Sequence, residues 1–218
     1  MGLEFGGEKM NWMDMTLRDF QAALASSSPT PGGGTAAAVS LGQAASLTIM
    51  VCDLTLGKDR WREGWPSAEA AQTVAIPILH KAGQLAVDDS DAFDAVMDAY
   101  GLPKETDEQK QARRAAIRKA TVVAAEVPYR TAQLSMDLMH VLEALATSGN
   151  ANAVTDVGVA GLLASAAGKG ALFNVEINLQ GLPDDHGVDL REALPQLKEN
   201  MRLTSRKIMD AVRERMNE

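Results

Sequence analysis

Apolar residues recur along most of this chain at the three-to-four-residue spacing of a helix, and no stretch sustains the alternation of a strand. Leu17, Phe20 and Leu24 share one face of a short first helix that Thr16 is placed to cap. Ser-Pro and Thr-Pro steps then break the chain over residues 26–31, because a residue before proline is pushed out of the helical region. After Gly34 a second helix runs to about Gly57, apolar on nearly every side and therefore central. Gly57 and Lys58 mark its stop.

A loop bearing Trp61 and Trp65 leads to Pro66 and Ser67, which start a long third helix reaching Tyr100, with a kink expected at Pro77. Thr106 and Gln109 are spaced as a capping box for a fourth helix, which runs to Thr147 with a bend expected at Pro128. A fifth helix, rich in small residues, covers about 153–179. Leu190, Leu194, Leu197, Met201, Ile208, Val212 and Met216 pattern a sixth. The segment NVEINL alternates briefly but is too isolated to make a sheet. The pattern predicts one all-α domain over residues 1–218: an up-and-down bundle of about six helices, kinked at internal prolines.

Composition refines this picture. Hydrophobic residues make up 46% of the 218 positions but aromatics only 4%, so the core must come from Ala, Leu, Val and Met on closely approaching helices. A net charge of −8 and a pI near 5.0 give no electrostatic reason to expect nucleic acid or an anionic membrane as partner. A single cysteine, Cys52, excludes an internal disulfide and a multi-cysteine zinc site. Residues 1–14 carry acidic side chains and no continuous apolar core, unlike a signal peptide. The apolar run 35–51 is interrupted by Ser40, Gly42, Gln43, Ser46 and Thr48, which suits a buried helix better than a membrane span. The expectation is a cytoplasmic protein.

Two features carry candidate chemistry. In SPTPGGGTAAA, Gly32, Gly33 and Gly34 open the second helix. They match neither a phosphate loop, which ends in Gly-Lys-Ser/Thr, nor a dinucleotide fingerprint, which follows a strand. They leave a helix N-terminus stripped of side chains, either to face a ligand or to let a neighbouring backbone approach. In LAVDDSDAFDAVM, Asp89 falls within the apolar stripe of Ile78, Ala82, Leu85, Phe93, Val96 and Tyr100. A carboxylate there must be hydrogen-bonded, paired or raised in pKa. It is either a site residue or a structural aspartate paired with Arg113, Arg118 or Arg130. Asp91, Asp94 and Asp98 point away with Gln84 to a solvated face, and Asp88 lies at the margin near Lys81 as a paired surface charge.

Other residues carry less. His80 falls on the solvated face of its helix, His140 and His186 have no ligand-like partners, and the His-x-Glu and Pro-Cys-x-x-Cys of zinc deaminases are absent. There is no Gly-x-Ser-x-Gly elbow, and Cys52 belongs to the core. Asn150, Asn152 and Asp156 either cap the fifth helix or orient a polar ligand.

The segments SSPTPGGGTAAA, MVCDLTLGK, DDSDAFDAVMDAYGLPKETDEQKQAR, AAEVP, SGNANAVTDVGVA and FNVEINL follow one another in an order that resembles the cyclodeaminase–cyclohydrolase family of folate enzymes. The resemblance covers residues 16–178 and is loose after Gly181. It departs at Thr155, where relatives tend to carry Ser, and the hydroxyl is kept. It implies an all-helical homodimer acting on one-carbon tetrahydrofolates without metal, nucleotide or other cofactor. It also implies that Asp89 is catalytic and that Pro31, Gly32, Gly33, Gly34, Lys58, Asn150, Asp156 and Asn174 bind the folate.

Two reactions follow from the resemblance: hydrolysis of 5,10-methenyltetrahydrofolate to 10-formyltetrahydrofolate, and cyclodeamination of 5-formiminotetrahydrofolate with release of ammonia. The chain length, without a formiminotransferase domain, and the wording of MVCDLTLGK and AFDAVMDAYGLPK favour the hydrolysis. A folate-binding protein without turnover is a third reading, against which Asp89 and the retained Gly-Gly-Gly and Gly-Asn motifs stand.

Overall fold

Side-chain caps start two of the helices, at Thr16 and Thr106, where the sequence places them. A computed structural model describes residues 11–218; most of the segment weighed above as a signal peptide lies outside the described residues. Thr16 Oγ1 accepts from the Asp19 N–H at 3.2 Å and opens α1 (Leu17–Leu24). Helix α2 (Gly33–Thr55) stops at Gly57, whose φ of +70° is the left-handed conformation that glycine adopts without strain. Helix α3 (Trp65–Gly101) and helix α4 (Asp107–Ser148) run unbroken through Pro77 and Pro128. The Gln109 N–H donates to Thr106 Oγ1 at 3.2 Å and the Thr106 N–H to Gln109 Oε1 at 3.2 Å, completing the capping box of α4.

Helix α5 (Val154–Gln180) absorbs NVEINL, and no strand occurs among the described residues. Helix α6 (Val188–Met216) ends the chain and continues through Pro195. One expectation is corrected. The tryptophan loop is a 3-10 helix at Asp59–Gly64, and Trp65 already belongs to α3, with its Nε1 donating to Thr55 O at 3.1 Å. That bond ties the start of α3 to the end of α2.

Helices α2, α3, α4 and α5 form a ring in which each packs on the next and α5 closes back on α2, while α6 lies outside against α4 and α5. Neighbours are antiparallel. Gln72 of α3 reaches back to Asp53 of α2 at 2.8 Å, Arg113 of α4 to Tyr100 O at 3.0 Å, and Asn178 of α5 to Ala124 O of α4 at 2.8 Å. The ring interior is aliphatic, with Leu41, Leu138, Met139, Leu142 and Leu172 buried.

Small residues set the spacing of the outer helix. A Cβ on Gly161 would stand 2.8 Å from Ile208 Cγ2, and one on Gly168 2.7 Å from Met201 Sδ. Overpacking of this kind costs about 1–3 kcal/mol, which explains glycines inside a buried helix. By length and composition α2 and the stretch Ala151–Gln180 are each apolar enough to cross a membrane, yet 56% of each apolar window is buried against other helices. The antiparallel ring gathers the start of α2, the later half of α3, the early half of α4 and the end of α5 at one end. The site forms there.

Candidate active site

Asp89 projects from α3 onto the first turn of α2. Thr35 Oγ1 donates to Asp89 Oδ2 at 3.1 Å. Behind it, Thr35 Oγ1 lies 3.3 Å from Ser90 Oγ, and Trp12 Nε1 donates to Ser90 Oγ at 3.0 Å. The Gly32 N–H donates to Thr35 Oγ1 at 3.4 Å. Thr35 is fully buried and Ser90 6% exposed, so solvent does not compete for these bonds.

The three glycines have different surroundings. A Cβ on Gly34 would overlap Asp89 Oδ1, whereas one on Gly33 would meet only Asn174 Nδ2 at 3.9 Å and one on Gly32 only Pro29 O at 3.4 Å. Gly34 is therefore required by the close approach of a carboxylate, and Gly33 borders open space. Pro31 is buried beside them, after a cis peptide bond.

Around Asp89 lies a cavity of about 310 Å³, lined by the glycines, by Phe93 and Val96 of α3, by Ala124 of α4, and by Asn174, Ile177 and Asn178 of α5. Asn174 anchors its Nδ2 on Gly170 O at 3.0 Å and Asn178 on Ala124 O at 2.8 Å. The Oδ1 atoms of both remain available to accept from a ligand. The apolar stripe of α3 departs from expectation. Ile78, Ala82 and Leu85 are buried, but Phe93 is 37% and Tyr100 52% exposed. Beyond Leu85 the stripe leaves the core, and Phe93 and Val96 line the cavity instead.

Burial pushes the Asp89 carboxyl above its ordinary value, and hydrogen bonds from the Thr35 hydroxyl and backbone pull it partly back. The alternative of a structural ion pair is not realised. Arg113 donates to Tyr100 O, while Arg130 and Arg118 line other surface depressions. Asp88 also departs from expectation, accepting from Gln84 Nε2 at 2.7 Å rather than pairing with Lys81. Burial, then the neighbouring Asp53 charge, push the Cys52 thiol up to about 12, so it is no nucleophile at neutral pH. His80 and His140 are exposed, and His186 contacts Asp185.

Among the described residues no group of three or more His, Cys, Asp or Glu side chains could hold a metal ion. A larger groove of about 620 Å³ lies between α3, α4 and α6. Its charged side chains Lys81, Arg130 and Asp137 are exposed and Asp88 is half-buried, and it has no helix start.

The structure thus brings together Asp89, the glycines and Asn174, but it does not bring Lys58, Asn150 or Asp156 to them. Lys58 is exposed beyond the C-terminal end of α2. Asn150 donates from Nδ2 to Leu54 O at 2.9 Å and accepts from the Asn152 N–H at 2.9 Å. Asp156 sits in the first turn of α5, about 27 Å from Asn174 at 1.5 Å per residue. The antiparallel ring puts the α4–α5 turn at the opposite end.

Sequence reasoning missed Thr35, Ser90, Trp12 and Asn178. Asn178 had a signal, since it follows Asn174 by one helical turn. Thr35 had a weaker one, as the first side chain after the glycines.

A family model described as formiminotransferase-cyclodeaminase matches residues 16–194. A methenyltetrahydrofolate cyclohydrolase of Methylorubrum extorquens is 42% identical over 169 residues, covering 78% of this chain and 81% of that one. A formimidoyltransferase-cyclodeaminase of Mus musculus is 32% identical over 183 residues, covering 82% of this chain but 33% of its own, so this chain spans about a third of that relative. The crystal structure of a formiminotetrahydrofolate cyclodeaminase from Thermotoga maritima superposes with a TM-score of 0.77 at 28% identity, covering 94% of this chain and 97% of that one.

Proposed function

The chain belongs to the formiminotransferase-cyclodeaminase family, and we propose that it hydrolyses 5,10-methenyltetrahydrofolate to 10-formyltetrahydrofolate with Asp89 as general base and acid. One observation carries this reading: a carboxylate with no cationic partner among the described residues, raised by burial, in a cavity whose described lining contains no other titratable side chain. Similarity to the Methylorubrum cyclohydrolase favours hydrolysis among the family's reactions.

The methenyl substrate carries its positive charge on the N5–C–N10 amidinium. Ionised Asp89 offsets that charge and accepts a proton from a water attacking the central carbon, forming a C–O bond. The C–N5 bond then breaks and Asp89 returns the proton to N5. The hydroxyl proton of the intermediate leaves as the formyl carbonyl forms on N10, so one proton is released per turnover. A raised carboxyl suits both tasks, because it holds and gives up a proton closer to neutrality. The Oδ1 atoms of Asn174 and Asn178 accept from N–H donors of the pterin, and Phe93 and Ile177 flank the ring system. The open N-terminus of α2 faces a carbonyl or carboxylate of the ligand.

The Thermotoga neighbour and the Mus musculus relative support a second reading on the same site. In that reading N10 attacks the formimino carbon, ammonia leaves, and Asp89 moves the protons. An absorbance assay offering both folates separates them. Loss of the methenyl chromophore marks hydrolysis, and its appearance with ammonia marks deamination.

The same reading includes a two-fold homodimer. Met50 and Leu54 of α2 and Val159, Leu162, Phe173 and Ile177 of α5 are exposed on adjacent ring helices that carry few charges. Antiparallel pairing of that face would carry residues 150–156 of one chain toward the cavity of the other. Lys58, Asn150 and Asp156 would then have a route to substrate that a single chain lacks.

A further inference from the structure

We propose that Thr35 is the positioning residue of this site: backed by Ser90 and Trp12, it holds Asp89 Oδ2 and leaves Oδ1 as the oxygen that exchanges protons with substrate. The proposal rests on the assignment of Asp89 as the base made above.

Counting protons and lone pairs gives the chain its direction. The Trp12 Nε1–H can only donate, and it ends on Ser90 Oγ at 3.0 Å. The Gly32 N–H can only donate, and it ends on Thr35 Oγ1 at 3.4 Å. An ionised carboxylate at the other end can only accept. Across the 3.3 Å between the two hydroxyls, Ser90 therefore donates to Thr35, and Thr35 spends its one proton on Asp89 Oδ2 at 3.1 Å. Both lone pairs of Thr35 are then filled.

A proton arriving on the Oδ2 lone pair that faces Thr35 would find no lone pair on Thr35 to receive it, unless Ser90 turned away toward Ala86 O, 3.4 Å distant. No side chain among the described residues holds Oδ1, which lies over the bare Gly34, and the Thr35 backbone N–H that also donates to this carboxylate fills only one of the four lone pairs on its two oxygens. Thr35 thus encumbers Oδ2 and leaves Oδ1 as the freer oxygen through which the proton enters and leaves. Among the described residues no rival titrating group lines the cavity: the start of α2 offers glycines, α4 offers Ala124, and α5 offers Asn174, Ile177 and Asn178. On α3 itself, Asp88 is taken up by Gln84.

The competing explanation is that Thr35 only caps α2 through the Gly32 N–H. Thr35→Val removes the hydroxyl at nearly constant shape, and Thr35→Ser keeps it. For each variant the Asp89 carboxyl is titrated by 13C NMR in the ligand-free protein, its signal identified by its loss in Asp89→Asn. The pH profile of kcat/KM and the Tm are measured alongside.

Loss of a charge-assisted hydrogen bond should move both the carboxyl midpoint and the acid limb of the profile up by about one pH unit in Thr35→Val. Thr35→Ser should return both to wild type, and Trp12→Phe should shift them the same way by less. A lower Tm with an unmoved carboxyl and acid limb would reduce Thr35 to a cap and overturn the proposal. If Thr35→Val does not fold, Ser90→Ala decides, since it removes the second donor without touching the cap. It should shift the midpoint upward, and no shift overturns the proposal. A shifted carboxyl in a protein whose turnover survives Asp89→Asn would uphold the hydrogen-bond chain while removing Asp89 from the base role.

Discussion

Gly34 and Asp89 exclude a side chain between them: a Cβ on Gly34 would overlap Asp89 Oδ1 and stand 2.5 Å from its Cγ. A residue at the start of one helix thus fixes how deeply an aspartate from another can reach. Gly34→Ala should displace the carboxylate and lower kcat by about 10²-fold or more, the scale of a lost general base. Gly33→Ala, whose Cβ meets only Asn174 at 3.9 Å, should keep the Tm and raise KM. Steady-state kinetics and thermal melts of the pair check this, and a Gly33 variant less stable than the Gly34 one would contradict it.

Asp89→Asn should fold and lose about 10²–10⁴-fold in kcat. Its stability carries a further signature. Folding lifts the Asp89 carboxyl above its ordinary value, so the native state binds this proton more readily than the unfolded chain. Its contribution to stability therefore falls as pH rises from about 4 through the raised folded value. The asparagine lacks that loss, so the Tm of the variant relative to wild type should climb across this window and then level off. A difference that shrinks with rising pH would contradict the sign.

Cys52→Ala should leave kcat and KM near wild type, because a thiol whose pKa is pushed to about 12 supplies almost no thiolate. The native protein should also resist alkylation at pH 8 until it is unfolded. Mass spectrometry after a timed pulse of iodoacetamide reads this directly.

Light scattering at micromolar concentration should give twice the 23.2 kDa of one chain. Leu162→Asp, placing a charge in the exposed apolar face of α5 where Leu162 is 56% exposed, should shift the mass to that of one chain. A wild-type mass of one chain, constant on concentration, would remove the dimer.

The helix plan was legible because its signals are local. The Thr16 cap, the Thr106–Gln109 box and the left-handed Gly57 each act within a turn of their own position. Asp89 was legible for a reason only half right. It does interrupt an apolar stripe, but Phe93 and Val96 farther along that stripe line a cavity rather than the core, because periodicity cannot distinguish a face turned to protein from one turned to ligand. The chain from Trp12 through Ser90 and Thr35 to Asp89 joins residues up to 78 positions apart, and no local pattern announces it. The far placement of Lys58, Asn150 and Asp156 follows from helix direction around the ring, which motif order along the chain does not contain.

The central claim is hydrolysis of a methenyl carbon by water under the control of Asp89. The most direct test follows the methenyl chromophore with purified protein and 5,10-methenyltetrahydrofolate, beside a parallel reaction on 5-formiminotetrahydrofolate with ammonia detection. Rapid loss of the chromophore is expected, slower in Asp89→Asn by about 10²-fold or more, with 10-formyltetrahydrofolate as product. Chromophore appearing only from the formimino substrate, or loss at equal rates with wild type and Asp89→Asn, would contradict it.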